Sequence, residues 1–258
     1  MWEFSLNLQE GNLDLANNIF TSLKAVSSVT GGVVTSHQEN GYISILIGVD
    51  ENRREEMEKL LSRSITKVIC TYYKSAFLDK YLFLPQHDKI GTVAFKKALL
   101  NFDRETDHYI IQKNLTFDQD LYLDSFYLFK LRSLKSKWTE LVGLANENRD
   151  YLLSNESFID LLKFLVDNLD ILEEEVNVIE EKDGFKIFLD SSDGYDCQYE
   201  NAVFNEEGLV SSIIDLSPQK INIYCNNENH ATELLERIYV ERIHIKKTAG
   251  SVANINKR

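Results

Sequence analysis

The spacing of apolar residues changes several times along this chain, and that change restricts the fold more than any other feature. Trp2, Phe4, Leu6 and Leu8 recur at every second residue, as a half-buried strand requires. From Leu13 to Val29 the spacing turns helical through Leu15, Ile19, Leu23 and Val26. Residues 33–38 and 42–49 are strand-like and flank Glu39-Asn40-Gly41; Asn-Gly between two such runs is a strong hairpin signal. The first fifty residues therefore read as β-α-β-β, a small sheet with a helix over one face.

A long helix is expected from Glu51 to Leu84, with a stripe through Met57, Leu61, Ile65, Val68, Tyr72 and Ala76 and a stop at Pro85. Residues 88–172 read as helical almost throughout, in segments broken near 101–107, 116–118 and 154–157. The run 157–166 is apolar nearly all round, which predicts deep burial. Strand spacing returns at 176–181 and 185–189 around Asp183-Gly184, a second hairpin turn. A short helix over 206–216 ends at Ser217-Pro218. Strand 220–225, helix 228–239 and strand 242–245 follow, and that order predicts a parallel crossover. The expected fold is α+β, divided as 1–84 (β-α-β-β plus the long helix), 85–172 (helical), 173–245 (mixed α/β) and a basic tail, 246–258.

Charge is distributed unevenly. The 258 residues carry a net charge of −13. Residues 1–84 hold 8 basic and 10 acidic groups, residues 85–145 hold 9 and 8, and residues 146–258 hold 11 and 23. The acidic C-terminal part repels a phosphate backbone, so general nucleic-acid binding is disfavoured, although a local basic patch in the middle remains compatible with it. The opening residues show no secretory leader, and there is no apolar run of about 18 residues to span a membrane. Cys70, Cys197 and Cys225 are widely spaced with no CxxC pair, which fits reduced thiols in a cytoplasm.

Residues 124–138 combine aromatic and aliphatic side chains with Lys130, Arg132, Lys135 and Lys137. Tyr127, Leu131, Leu134, Trp138, Leu141 and Ala145 form a continuous helical seam. On the wheel Lys130 and Lys137 border one side of it, while Arg132 and Lys135 border the other. This geometry predicts a packed helix with inward aromatics and cations snorkelling from the edges. The functional reading of the same four cations is a docking surface for an acidic partner or a nucleic acid. His87-Asp88 resembles the metal-binding pair of HD-type phosphohydrolases, but the upstream His37 sits in a strand and His108 has no helical partner, so a solvated pair is expected. Cys225, His230 and His244 match no zinc spacing. Cys225, Asn227 and His230 lie at the C-terminal end of a parallel strand, where α/β sheets bind ligands, and form a pocket candidate without phosphate-binding glycines. Residues 190–196 lack calcium-loop spacing. No P-loop, dinucleotide-binding, nucleophile-elbow or HExxH motif occurs, so no catalytic residue, metal or cofactor is assigned.

The pattern Asp124-Ser-Phe-Tyr-Leu-Phe-Lys-Leu-Arg132 resembles the YtxC-like family of proteins associated with sporulation in spore-forming Firmicutes. The likeness continues through the apolar helix 158–169, the acidic hairpin 176–189 and the stretch 209–224. The resemblance implies a setting, the cytoplasm of an endospore-forming bacterium, and carries no biochemical activity residue by residue. The expectation is a non-catalytic interaction or regulatory factor with a protein partner. A nucleic-acid-binding factor using the four cations and the basic tail is one alternative, and an enzyme with a dispersed site is the other.

Overall fold

The computed structural model describes residues 1–83, 89–118, 120–147, 155–189, 199, 202–226 and 229–247, with the backbone alone at 25–30 and 155. They form two compact units, Met1–Tyr81 with Arg104–Gly143, and Leu82–Asp103 with Leu144–Arg258. The first unit opens β1 (Trp2–Gln9), α1 (Leu13–Thr30), β2 (Val33–Glu39) and β3 (Tyr42–Val49). This is the β-α-β-β start that the alternation implies. The hairpin closes with Asn40 at φ 53° and Gly41 at φ 80°, the paired left-handed conformation of a type I′ turn. Trp2, Phe4, Leu6 and Leu8 share one face with Ile43, Ile45, Ile47 and Val49, and all are buried with Leu15, Ile19 and Leu23 of α1. Each such side chain contributes about 1.5–3 kcal/mol on burial.

α2 (Arg54–Val68) passes through a π-turn, Ile69–Tyr73, into α3 (Lys74–Tyr81). Met57, Leu61 and Ile65 are buried as the spacing predicts, but beyond them Ile69, Tyr73 and Leu78 are buried in place of Val68, Tyr72 and Ala76. The stripe shifts by one position at Ile69, where the i→i+5 turn begins, and after that turn has absorbed its extra residue it stands two positions on at Leu78. In the second unit α4 (Lys89–Asn101) contributes Ala94, Phe95, Ala98 and Leu99 to the core. α5 (Arg104–Asn114) returns the chain to the first unit.

The middle region is not wholly helical. β4 (Leu121–Tyr122) joins the first sheet parallel to β1, giving the order β2-β3-β1-β4. α6 (Leu123–Ser125) runs into a second π-turn, Phe126–Lys130, and α7 (Arg132–Glu147) follows after a break at Leu131.

α8 (Asn155–Asp167) belongs to the second unit. Phe158, Ile159, Leu162, Leu165 and Val166 are buried, but Phe164 is 57% exposed, so this helix is amphipathic rather than enclosed all round. β5 (Glu173–Glu181) and β6 (Gly184–Leu189) form the expected antiparallel hairpin. α9 (Glu206–Leu216) stops at Ser217, whose φ is 39°. β7 (Pro218–Cys225), α10 (His230–Tyr239) and β8 (Ile243–Lys247) make the predicted crossover, with β8 parallel to β7 and extending to Lys247. The sheet order is β6-β5-β7-β8. Val176, Val178, Ile221 and Ile223 are buried on one face of the sheet, and α9 contacts β6 while α10 contacts β8.

Candidate docking site

Residues 124–138 belong to the first unit, and its core fastens them at both ends. At the start, the Asp124 carboxylate accepts hydrogen bonds from the Gln9 backbone N–H (3.1 Å), Asn12 Nδ2 (3.3 Å) and Tyr73 Oη (2.7 Å). Burial first, and then the bond to Asp124, pushes the Tyr73 hydroxyl well above the usual phenol range. Asn12 in turn accepts from Tyr72 Oη at 3.0 Å. Tyr73 comes from the first π-turn and meets Tyr127 of the second, with ring centroids 4.6 Å apart. The two widened turns are therefore packed on each other.

At the far end the anchor is Asp107 of α5. Lys74 Nζ donates to its Oδ2 at 2.7 Å, Lys137 Nζ to its Oδ1 at 2.7 Å, and Trp138 Nε1 to Oδ2 at 3.1 Å. The side chains of Lys74 and Asp107 are each 1% exposed. Burial pulls the Lys74 ammonium below the usual lysine range, and Asp107 opposes that pull. Burial, and then the Asp107 charge, pushes the nearby Cys70 thiol up to about 12. Both carboxylate oxygens of Asp107 are occupied by donors, so the node braces the fold and does not offer a proton acceptor to a substrate.

Between these anchors the second π-turn changes the outcome of the wheel. Leu131, Leu134 and Trp138 are buried as expected, but the seam then moves to Val142, with Leu141 and Ala145 only half-buried. Leu131 leaves helical geometry at φ −100° and ψ 37°. Phe126 is buried and Tyr127 half-buried, whereas Leu128 is 48% and Phe129 62% exposed. The expectation that the aromatics all point inward is thus corrected: one widened turn and one break swing Leu128 and Phe129 to the surface. Lys130 and Arg132 are exposed beside them. Lys135 reaches back, donating to the Leu128 carbonyl at 2.7 Å and lying 5.5 Å from the Tyr127 ring centroid. Lys137 turns inward to Asp107. No acid intervenes between Asp124 and Glu140, so the surface is an exposed apolar pair edged by cations on a largely acidic protein.

The other candidates are placed as follows. Cys225 is buried on the core face of β7, and His230 is exposed at the start of α10. His37 lies on β2, 3.2 Å from Glu39, and His108 lies on α5. Asn227, His87-Asp88, Cys197, residues 190–196 and residues 248–258 lie outside the described residues. Among the described residues no three His, Cys, Asp or Glu side chains group as metal ligands. Nor is any helix among them long and apolar enough to cross a membrane.

One polar constellation escaped the sequence reading. On the second face of the β6-β5-β7-β8 sheet, Asn177, Asn222 and His244 stand in one cross-strand row, beside Glu175 and Lys220. Lys220 Nζ donates to Glu175 at 3.0 Å, and Asn222 donates to Glu175 and, at 3.1 Å, to Asn177. Lys220 first, and then Asn222, holds the Glu175 carboxyl below its usual range. The signal was present in the polar alternation Glu175-Val-Asn177 and Lys220-Ile-Asn222, but only strand register aligns the two.

Fold and site together define an α+β protein built on two four-stranded sheets, with a braced, cation-edged turn on the surface of its first unit. The chain belongs to the YtxC-like family, whose family model matches residues 55–244. No curated protein and no solved structure matches it.

Proposed function

We propose that this chain is a non-catalytic interaction or regulatory factor in endospore formation, acting in the cytoplasm through the surface of the second π-turn. The observation that carries this reading is the exposure of Leu128 and Phe129 beside Lys130, Arg132 and Lys135, on a turn whose two ends are fastened by polar contacts, part-buried at Asp124 and buried at Asp107. A rigid apolar knob ringed by cations suits an acidic protein surface with an apolar recess: charge steers the encounter and aromatic burial supplies the affinity. Rigidity lowers the ordering cost of binding.

The test is a triple variant, Phe129→Asp with Lys130→Glu and Arg132→Glu, introduced into the sporulating host. These exposed positions leave stability within about 0.5 kcal/mol, so the variant should fold normally while losing its partner and lowering spore yield. Unchanged partner capture and spore yield would defeat the reading, as would turnover of a defined substrate by the protein's own side chains. Single-stranded nucleic acid bound through the same residues, with affinity falling steeply as salt rises, would transfer the surface to the other reading.

A further inference from the structure

β2 is an outer strand of the first sheet, and its register against β3 runs unbroken from Val33↔Gly48 to Glu39↔Tyr42, with no bulge. Every residue of the strand except Val34 is exposed. The strand Val-Val-Thr-Ser-His-Gln-Glu contains no proline, lysine or arginine, and its one carboxylate, Glu39, stands at its end, so the middle of the edge is not blunted by proline or a fixed charge. Among the described residues no strand pairs with its outer side, and the groups that point there can be read from the turn. In a type I′ hairpin the residues flanking the two-residue loop form a hydrogen-bonded pair, here Glu39 and Tyr42. Alternation then directs the backbone groups of Val33, Thr35, His37 and Glu39 inward to β3. Those of Val34, Ser36 and Gln38 point outward.

We propose that two copies of this chain pair antiparallel along β2, about a two-fold axis at Ser36, and so join their first sheets into one continuous sheet. In this register Ser36 faces Ser36 of the other copy and Val34 faces Gln38, so all three outward residues find partners. Centring the axis on Thr35 or His37 leaves one outward residue of each strand beyond the pairing. Charge agrees with the same register: Glu39 falls opposite Val33 and His37 opposite Thr35, so like charges are not opposed. A self-complementary patch that closes on itself is the ordinary basis of a symmetric dimer. The pairing uses a different strand from the surface of the second π-turn, so either proposal can fail alone.

The test is sedimentation equilibrium of the full chain across a broad micromolar range. The mass should rise from 29.8 kDa toward twice that value. Ser36→Pro removes an outward N–H and costs no bond to β3, and it should hold the protein monomeric. Ser36→Lys sets like charges face to face at the axis and should do the same, with an unchanged circular dichroism spectrum. In a hydrogen-bonded pair the α-carbons stand about 5.5 Å apart, within disulfide reach. In a Cys197→Ser background, Ser36→Cys should therefore form an intermolecular disulfide under mild oxidation, while Val33→Cys and the Cys197→Ser parent should not. A constant monomer mass overturns the proposal. So does a dimer that persists in both the proline and lysine variants, or cross-linking of V33C as fast as S36C.

Discussion

Replacing Asp107 by alanine should unfold the first unit far more readily than the loss of one surface charge would. Lys74 is 1% exposed and relies on Asp107 for its nearest negative charge. Without it the ammonium either stays charged in a dry site or gives up its proton. For a lysine with an ordinary pKa of about 10.4, the second route costs about 4.6 kcal/mol at pH 7, and that sets a ceiling on the Lys74 penalty. It agrees with the roughly 3–5 kcal/mol seen when one partner of a buried pair is removed. Stranding the Trp138 indole N–H adds about 1 kcal/mol. Trp2 and Trp138 are the only tryptophans and both lie in the first unit, so fluorescence follows that unit alone. With a urea slope of about 2 kcal/mol per M, the midpoint should fall by about 2 M. The pH dependence gives a sharper check. The folded-state pKa of Lys74 is lowered, so the unfolded chain binds more protons between that value and 10.5, and stability rises with pH across that window. Asp107 opposes the lowering, so its removal opens the window at lower pH. The deficit of the alanine variant should therefore be smaller at pH 9 than at pH 7. Combining Asp107→Leu with Lys74→Met should recover most of the loss, because a buried pair is commonly replaceable by apolar groups of similar size. A deficit below about 1 kcal/mol, or one equal at both pH values, would refute the buried-charge account.

Two other substitutions and one labelling experiment probe the remaining claims. Gly184 has φ 142°, and a Cβ there would lie 2.4 Å from the Phe204 carbonyl oxygen, where Phe185 and Phe204 exchange backbone hydrogen bonds of 2.8 Å. Gly184→Ala should therefore cost about 2–4 kcal/mol and speed amide exchange in β5 and β6; native-like protection there would refute the clash. The Cys70 thiol is raised from 9.0 to about 12, so the stability it contributes is complete below 9.0 and is lost as pH climbs toward 12. Alkylation at pH 8.5, read by peptide mapping, should reach Cys70 only after urea is added, and Cys70→Ala should flatten the alkaline loss of stability. Rapid labelling of the native protein would contradict that burial.

Much of the fold is legible because element type is a local property. The Asn40-Gly41 turn, the alternation of β1 and β3 and the helix Glu206–Leu216 follow from spacing within a few residues. β4 was missed because a two-residue strand has no period to detect; it exists only through its pairing with Leu6 and Asn7. The stripe after Ile65 was misplaced for a related reason. A π-turn adds a residue without altering composition, so Tyr72 and Tyr73 exchange roles although the sequence favours neither. The docking turn combines both effects. Its cations and aromatics were visible, but the exposure of Phe129 required the widened turn and the break at Leu131.

The sequence by itself determined the α+β class, the two hairpins, the parallel crossover and the family, since periodicity, turn chemistry and core pattern are written residue by residue. Tertiary structure alone decided how residues 124–138 are used. Asp107 lies 31 positions from Trp138, and Gln9 lies 115 positions from Asp124. Contacts at those separations hold the segment's two ends while Leu128 and Phe129 between them face solvent. A helical wheel contains neither partner, because it knows only the spacing of a chain along itself.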